Sequence, residues 1–197
     1  AAAEGFYTVD GNGDPVSQGA VNEAQADTGF YTVDDTGAAA STLAVNQTAA
    51  AEGFYTVDGN GDPVSQGAVS ETEVVAGSYA CKKGEANDGQ GVATKADFTC
   101  ECPAGMYTDA AGATNCKTAG TGSFAVDSSG SGTTSGAVNQ KQADTGFYTV
   151  DGTGAAVSTL AVDQTAAAEG FYTVDANGDP VSQGAVNEAQ ADTGFYP

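Results

Sequence analysis

The stretch Gly5-Phe6-Tyr7-Thr8-Val9-Asp10-Gly11-Asn12-Gly13-Asp14-Pro15 decides how the whole sequence is read. Phe6 to Val9 has the aromatic and β-branched content of a short strand. Gly11 to Pro15 is dense turn chemistry. Val16 to Val21 then reads as a second, weaker strand, and the Ala-containing stretch from Asn22 to Thr28 as a connector or one helical turn. The unit is a β-hairpin with a connector, too small to be stable alone.

The hexapeptide Gly-Phe-Tyr-Thr-Val-Asp recurs at Gly5, Gly29, Gly53, Gly146 and Gly170, with a truncated copy at Gly194. Neighbouring copies are 24 residues apart, and degenerate copies begin at Gly77, Gly105 and Gly122. Two flavours alternate. Residues 5–28 recur at 170–193 with one change, Gly11 against Ala176, and residues 29–52 recur at 146–169 with three changes. The first carries Asp14-Pro15-Val16-Ser17-Gln18-Gly19, the second Ser41-Thr42-Leu43-Ala44-Val45, so the structural period reads as 48 residues.

The fold class implied is all-β: an elongated tandem array of ~24-residue β-hairpins with a disulfide-braced module in the middle. Residues 1–76 hold three units, 77–121 the cysteine-containing module, and 122–197 three units plus the truncated copy. Stacking is expected to cover the aromatics Phe6, Tyr7, Phe30, Tyr31, Phe54, Tyr55, Phe147, Tyr148, Phe171 and Tyr172. Stacked as solenoid rungs, the units span about 40 Å; hairpins strung end to end reach about 150 Å, the arrangement favoured here. The first residues match a unit's end and the last residues stop inside a strand. The expectation is either a window on a longer array or protomers joined head to tail.

Composition bounds the function. Ile, Trp, Arg and His are absent, and Leu occurs only at Leu43 and Leu160, so no large globular core can be assembled. Twenty-six carboxylates against five lysines leave a formal charge of −21, which repels nucleic acid and anionic membranes. No apolar run approaches the ~20 residues of a membrane helix, and direct membrane insertion is not expected. Without His there is no side chain poised near neutrality for acid–base work, and the Gly-x-Gly fragments lack a phosphate loop's setting, so no catalytic residue is assigned.

Cys81, Cys100, Cys102 and Cys116 lie between Gly77 and Gly122. An even count in an acidic, Lys-poor chain reads as a disulfide framework. Four cysteines allow three connectivities; Cys100 and Cys102 are expected to bond elsewhere, which favours Cys81–Cys100 with Cys102–Cys116 without closing off the others. The run Cys102-Pro103-Ala104-Gly105-Met106-Tyr107-Thr108-Asp109, closed by Cys116-Lys117, resembles the ephrin-receptor-like cysteine-rich repeat. Similar repeats occur in ciliate immobilisation antigens and protist flagellar-hair proteins. The match covers about 20 residues; Ala24 and Ala26 before Gly29 stand as Cys100 and Cys102 do before Gly105, so the outer units look like cysteine-poor relatives. The resemblance implies an extracellular or cell-surface, coat-forming or structural protein.

Asp10, Asn12 and Asp14 begin like a calcium loop, but Pro15 stands where Gly is needed and no Glu closes the pattern; a solvated turn is the preferred reading and calcium the weaker one. Asn46-Gln47-Thr48 is the one N-glycosylation sequon. No other cofactor is implied. The expected function is a self-associating protomer or segment of a surface filament or appendage; the alternative is an anchored coat antigen or adhesin stalk acting as a monomeric rod.

Overall fold

The computed structural model describes residues 2–192; the truncated repeat at Gly194 lies outside them. The described chain is all-β, and its strands form antiparallel pairs. β1 (Phe6–Val9) pairs with β2 (Asn22–Gln25), β3 (Phe30–Val33) with β4 (Asn46–Ala49), and β5 (Phe54–Val57) with β6 (Ser70–Glu73). In the cysteine segment β7 (Ser78–Cys81) pairs with β8 (Phe98–Glu101), and β9 (Met106–Tyr107) with β10 (Lys117–Thr118). Three more pairs follow: β11 (Ser123–Val126) with β12 (Asn139–Gln142), β13 (Phe147–Val150) with β14 (Asp163–Ala166), and β15 (Phe171–Val174) with β16 (Asn187–Gln190). The eight units begin at Gly5, Gly29, Gly53, Gly77, Gly105, Gly122, Gly146 and Gly170, and the cysteine segment is two of them.

The second strand is not where local propensity puts it. Val16 to Val21 forms no strand; the partner of Phe6–Val9 is Asn22–Gln25, in the register Phe6↔Gln25 to Val9↔Asn22. Asn, Glu and Gln are poor strand formers, but the pairing is set by tertiary context rather than by their preference. After Val9 the chain turns tightly, Asp10 N–H bonding Asp14 C=O at 2.9 Å, and Pro15 returns beside Val9. A bend then places Gly19 at φ 71° before the chain enters β2. The Val16–Val21 stretch is broken because residues from this bend turn outward to neighbouring units.

Nor are the hairpins strung end to end. Thr8 N–H donates to Ala44 C=O of the next unit at 3.1 Å, and Thr32 to Ala68, Thr56 to Ala96, Thr108 to Ala137 and Thr149 to Ala185 repeat the bond at 3.0–3.1 Å. A second set reaches two units away: Gly67 N–H bonds Ala26 C=O, Lys95 bonds Ala50, Gly112 bonds Val74, Gly136 bonds Cys102 and Gly184 bonds Ala143, at 2.8–3.1 Å. An end-to-end string would leave these main-chain groups unpaired, which burial does not tolerate.

The same reach explains the repeat's first glycine. A Cβ built on Gly5, Gly29, Gly53, Gly77, Gly105 or Gly122 would lie 1.9–2.5 Å from the backbone of a residue two units on. That residue is in the left-handed region, as Gly in most units but as Leu43, Lys95 and Leu160 (φ 58–61°) in three.

The fully buried layer is small-residue: Val9, Val33, Val57, Val126, Val150 and Val174, with Ala44, Ala68, Ala96, Ala137, Ala161 and Ala185 and the threonines Thr32, Thr56 and Thr149. Of the repeat aromatics Tyr7 is buried; Phe6, Phe30, Tyr31, Phe54, Tyr55, Phe147, Tyr148, Phe171 and Tyr172 are half-buried. Their cover comes from the next unit: Tyr7 packs with Ala44 and Ala40, and Tyr55 with Ala96 and Val92. Alanine is required there because its carbonyl must come within hydrogen-bond distance of the neighbouring strand.

The contact between units two apart makes a direct prediction. Gly61 (φ 87°) has nothing within 4 Å of its Cβ position, whereas at Gly53 (φ 78°) the Gly112 oxygen lies 2.3 Å away. Gly61→Ala should lose only the ~1–2 kcal/mol of a left-handed alanine. Gly53→Ala should lose clearly more in chemical denaturation, and equal losses would mean that units 3 and 5 do not touch.

Candidate functional site

The chemistry-bearing residues fall into three recurring places: the acidic turn, the junction that opens each unit, and the cystine segment. In the turn, Asp10 Oδ1 accepts the N–H groups of Asn12 (2.8 Å) and Asp14 (3.1 Å). Asp58 and Asp175 repeat this with Asn60 and Asp62, and with Asn177 and Asp179. In Asp34, Asp127 and Asp151 the hydroxyls of Thr36, Ser129 and Thr153 add a further donor. Asp10, Asn12 and Asp14, the calcium candidates, therefore sit in an exposed turn whose leading carboxylate is directed at its own backbone. Among the described residues no cluster of three or more His, Cys, Asp or Glu side chains is placed to hold a metal.

These bonds to the ionised form move the carboxyls below the usual carboxylate range. For Asp10 the leading cause is the Asn12 N–H, for Asp58 and Asp175 the N–H groups of Asp62 and Asp179. For Asp34, Asp127 and Asp151 it is the Thr36, Ser129 and Thr153 hydroxyl. Burial pushes the hydroxyls of Tyr7, Tyr31, Tyr79 and Tyr148 up. Both shifts lead away from neutrality.

The junction accounts for the two flavours. Glu23 Oε2 accepts the Ala3 N–H at 2.8 Å, Glu71 accepts that of Ala51 at 2.7 Å and Glu188 that of Ala168 at 2.6 Å. Where the junction instead holds an aspartate, the partner is glutamine. Gln47 Oε1 accepts the Asp27 N–H and its Nε2 donates to Asp27 Oδ2, both at 2.6 Å, and Gln164 does the same for Asp144 at 2.7 Å. A glutamate opposite an aspartate would set two negative charges together and lose a donor. The alternation of Ala3/Glu23 with Asp27/Gln47 was visible in the sequence but carried no meaning until pairing was known. The threonine of Phe-Tyr-Thr-Val was likewise read only as a strand former. Buried, it donates its hydroxyl to the carbonyl eight residues on, Thr32 to Ala40 at 2.6 Å and Thr56 to Val64 at 2.7 Å.

Cys81 bonds Cys100 and Cys102 bonds Cys116, the favoured pairing. The first bridge ties β7 to β8; the second ties the end of unit 4 to unit 5. Tyr79, Cys81, Cys102 and Cys116 form one buried cluster, with Phe98, Cys100 and Met106 against it. Cys100 faces Tyr79 as Ala24 faces Tyr7, so the cystine units keep the array's register. Three of the five lysines lie over aromatic rings, Lys95 on Phe30 at 4.7 Å, Lys117 on Tyr107 and Lys141 on Phe124. Asn46 opens β4, exposed, with its Oδ1 accepting the Gln47 N–H at 2.8 Å. The sequence matches no protein-family model and no curated protein.

Two predictions follow from these contacts. Gln47→Glu places a carboxylate against Asp27 and removes one hydrogen bond, and should lower stability by about 1 kcal/mol. The loss should shrink in high salt, which screens exposed like charges; a loss independent of salt in urea titrations would refute the charge argument. The turn aspartates have folded pKa values below their unfolded ones, so their contribution is present above pH ~4. It is lost as pH falls through the lowered folded values. Melting temperature should therefore hold from pH 7 to about 5 and drop below about 4, and Asp58→Asn should flatten that drop in part.

Proposed function

We propose that the protein is an extracellular structural repeat protein, a protomer or segment of a surface filament or appendage. The observation that carries this reading is the range of its contacts: each unit bonds to the next and to the one after, and strand contacts run between adjacent units. Order then accumulates along the chain, as in solenoid arrays, and favours an elongated body. Two disulfides are typical of extracellular proteins, and the ephrin-receptor-like character of the segment around Cys102 to Cys116 is in keeping with that setting. The acidic turns lie on the exposed side and keep the body soluble. Carboxyls and phenols shifted away from neutrality are in keeping with a structural role, and no partner beyond further copies and attached glycans, Asn46 being the candidate, is required.

Electron microscopy of the purified chain tests the proposal. Regular fibres are expected at high concentration; discrete short rods would favour the monomeric stalk of a coat antigen or adhesin, and compact round particles would refute both. Deleting residues 29–76, one 48-residue pair, should give a shorter body that still unfolds cooperatively, whereas loss of all structure would contradict lengthwise order.

A further inference from the structure

We infer that the two end faces of this chain are halves of one joint, and that a second copy docks head to tail in the register of the internal units. The inference rests on the filament reading and adds the surface and the bonds. Equivalent residues behave differently at the ends and inside. Ala44, Ala68, Ala96, Ala137, Ala161 and Ala185 are 0–1% exposed, yet Ala20, the same position in unit 1, is exposed. Val69, Val162 and Val186 are 5–7% exposed, while Val21 is 71% exposed. Leu43, whose left-handed backbone belongs on a glycine two units earlier, is 66% exposed.

The opposite face carries the complement. Gly5, Gly29, Gly53, Gly77, Gly105 and Gly122 are buried under a neighbour's backbone, but Gly146 and Gly170 are exposed with nothing within 4 Å of their Cβ positions. Ala26, Ala50, Val74, Cys102, Ala119 and Ala143 are 0–1% exposed, whereas Ala167 and Ala191 are half-buried. Among the described residues, the Thr173 N–H finds no carbonyl of the kind that Thr149 finds in Ala185.

Continuing the internal pattern by one step assigns the bonds. Thr173 N–H donates to Ala20 C=O of the second copy. Gly19 of that copy sits on Gly146 and donates its N–H to Ala167 C=O. Leu43 sits on Gly170 and donates to Ala191 C=O. Val21 is covered as Val69 is. The joint is two units deep, like every internal contact, and heterologous, so it propagates rather than closes. Gly194 to Tyr196 repeat Gly5 to Tyr7 in sequence, so one of these two segments must give way at the joint.

Sedimentation velocity over a concentration series tests this with the 197-residue chain. A mass that climbs without a fixed stoichiometry is expected. Ala20→Glu and Val21→Glu change residues exposed in the single chain, so each should fold with an unaltered melting curve. Each should shift association to higher concentration by about tenfold or more. Val75→Glu alters an equally exposed valine (67%) outside the joint and should leave association unchanged. Removing residues 193–197 should preserve or strengthen association. Association that survives Val21→Glu, falls equally with Val75→Glu, or disappears on removal of 193–197 would overturn the joint while leaving a filament built through other surfaces. A chain that stays monomeric at every concentration also overturns it; small-angle scattering of that monomer then decides separately whether the elongated structural body survives.

Discussion

A backbone carbonyl occupying the space of a missing side chain is the contact on which the array depends. Each unit begins with a glycine, and the left-handed residue two units later presses its main chain into that notch. Any Cβ there would collide with backbone, which cannot rotate away as a side chain can. The notch brings the second-neighbour hydrogen bonds into range, from Gly67 to Ala26 through Gly184 to Ala143. With the Thr-to-Ala bonds between adjacent units, every hairpin is braced at two distances. An isolated two-stranded hairpin is marginal in water; one held this way need not supply its own core.

This bracing explains how a chain without Ile or Trp and with two leucines folds at all. Its buried layer is Ala, Val and Thr, residues that contribute little apolar area individually but permit close main-chain approach. The buried threonine hydroxyl is satisfied within its own unit, so polar burial carries no orphaned group there. Charge is kept where water can reach it: aspartates cap their own turns, and at the junctions an aspartate is answered by glutamine and an alanine by glutamate.

Where unit length is irregular, other forces take over. Unit 5 has two-residue strands and lacks most of the return loop, and unit 4 has a longer one. In these two, cystines hold what the ladder elsewhere holds, each closing a loop of 19 or 14 residues; loops of that size are worth about 3 kcal/mol in the chain-entropy account. Tyr79 is fully buried among them, unlike the half-buried tyrosines of most regular units. The ladder nonetheless continues through the segment from Thr56–Ala96 to Thr108–Ala137.

The period, the all-β class, the first strand of every unit and the cystine pairing were legible in the residues. Each depends on local chemistry: a β-branched and aromatic run, turn formers beside it, and cysteines at workable spacing. The second strand was not legible, because Asn22–Gln25 becomes a strand only through the edge that Phe6–Val9 offers it. The sideways rather than end-to-end arrangement was equally hidden, since it follows from main-chain groups that every residue type carries alike. Leu43, Lys95 and Leu160 occupy a glycine's conformation, and no local preference would place them there. Sequence by itself determined that this chain repeats and which short segments extend; tertiary structure alone decided what each repeat touches, because those contacts are made by backbone atoms that leave almost no compositional trace.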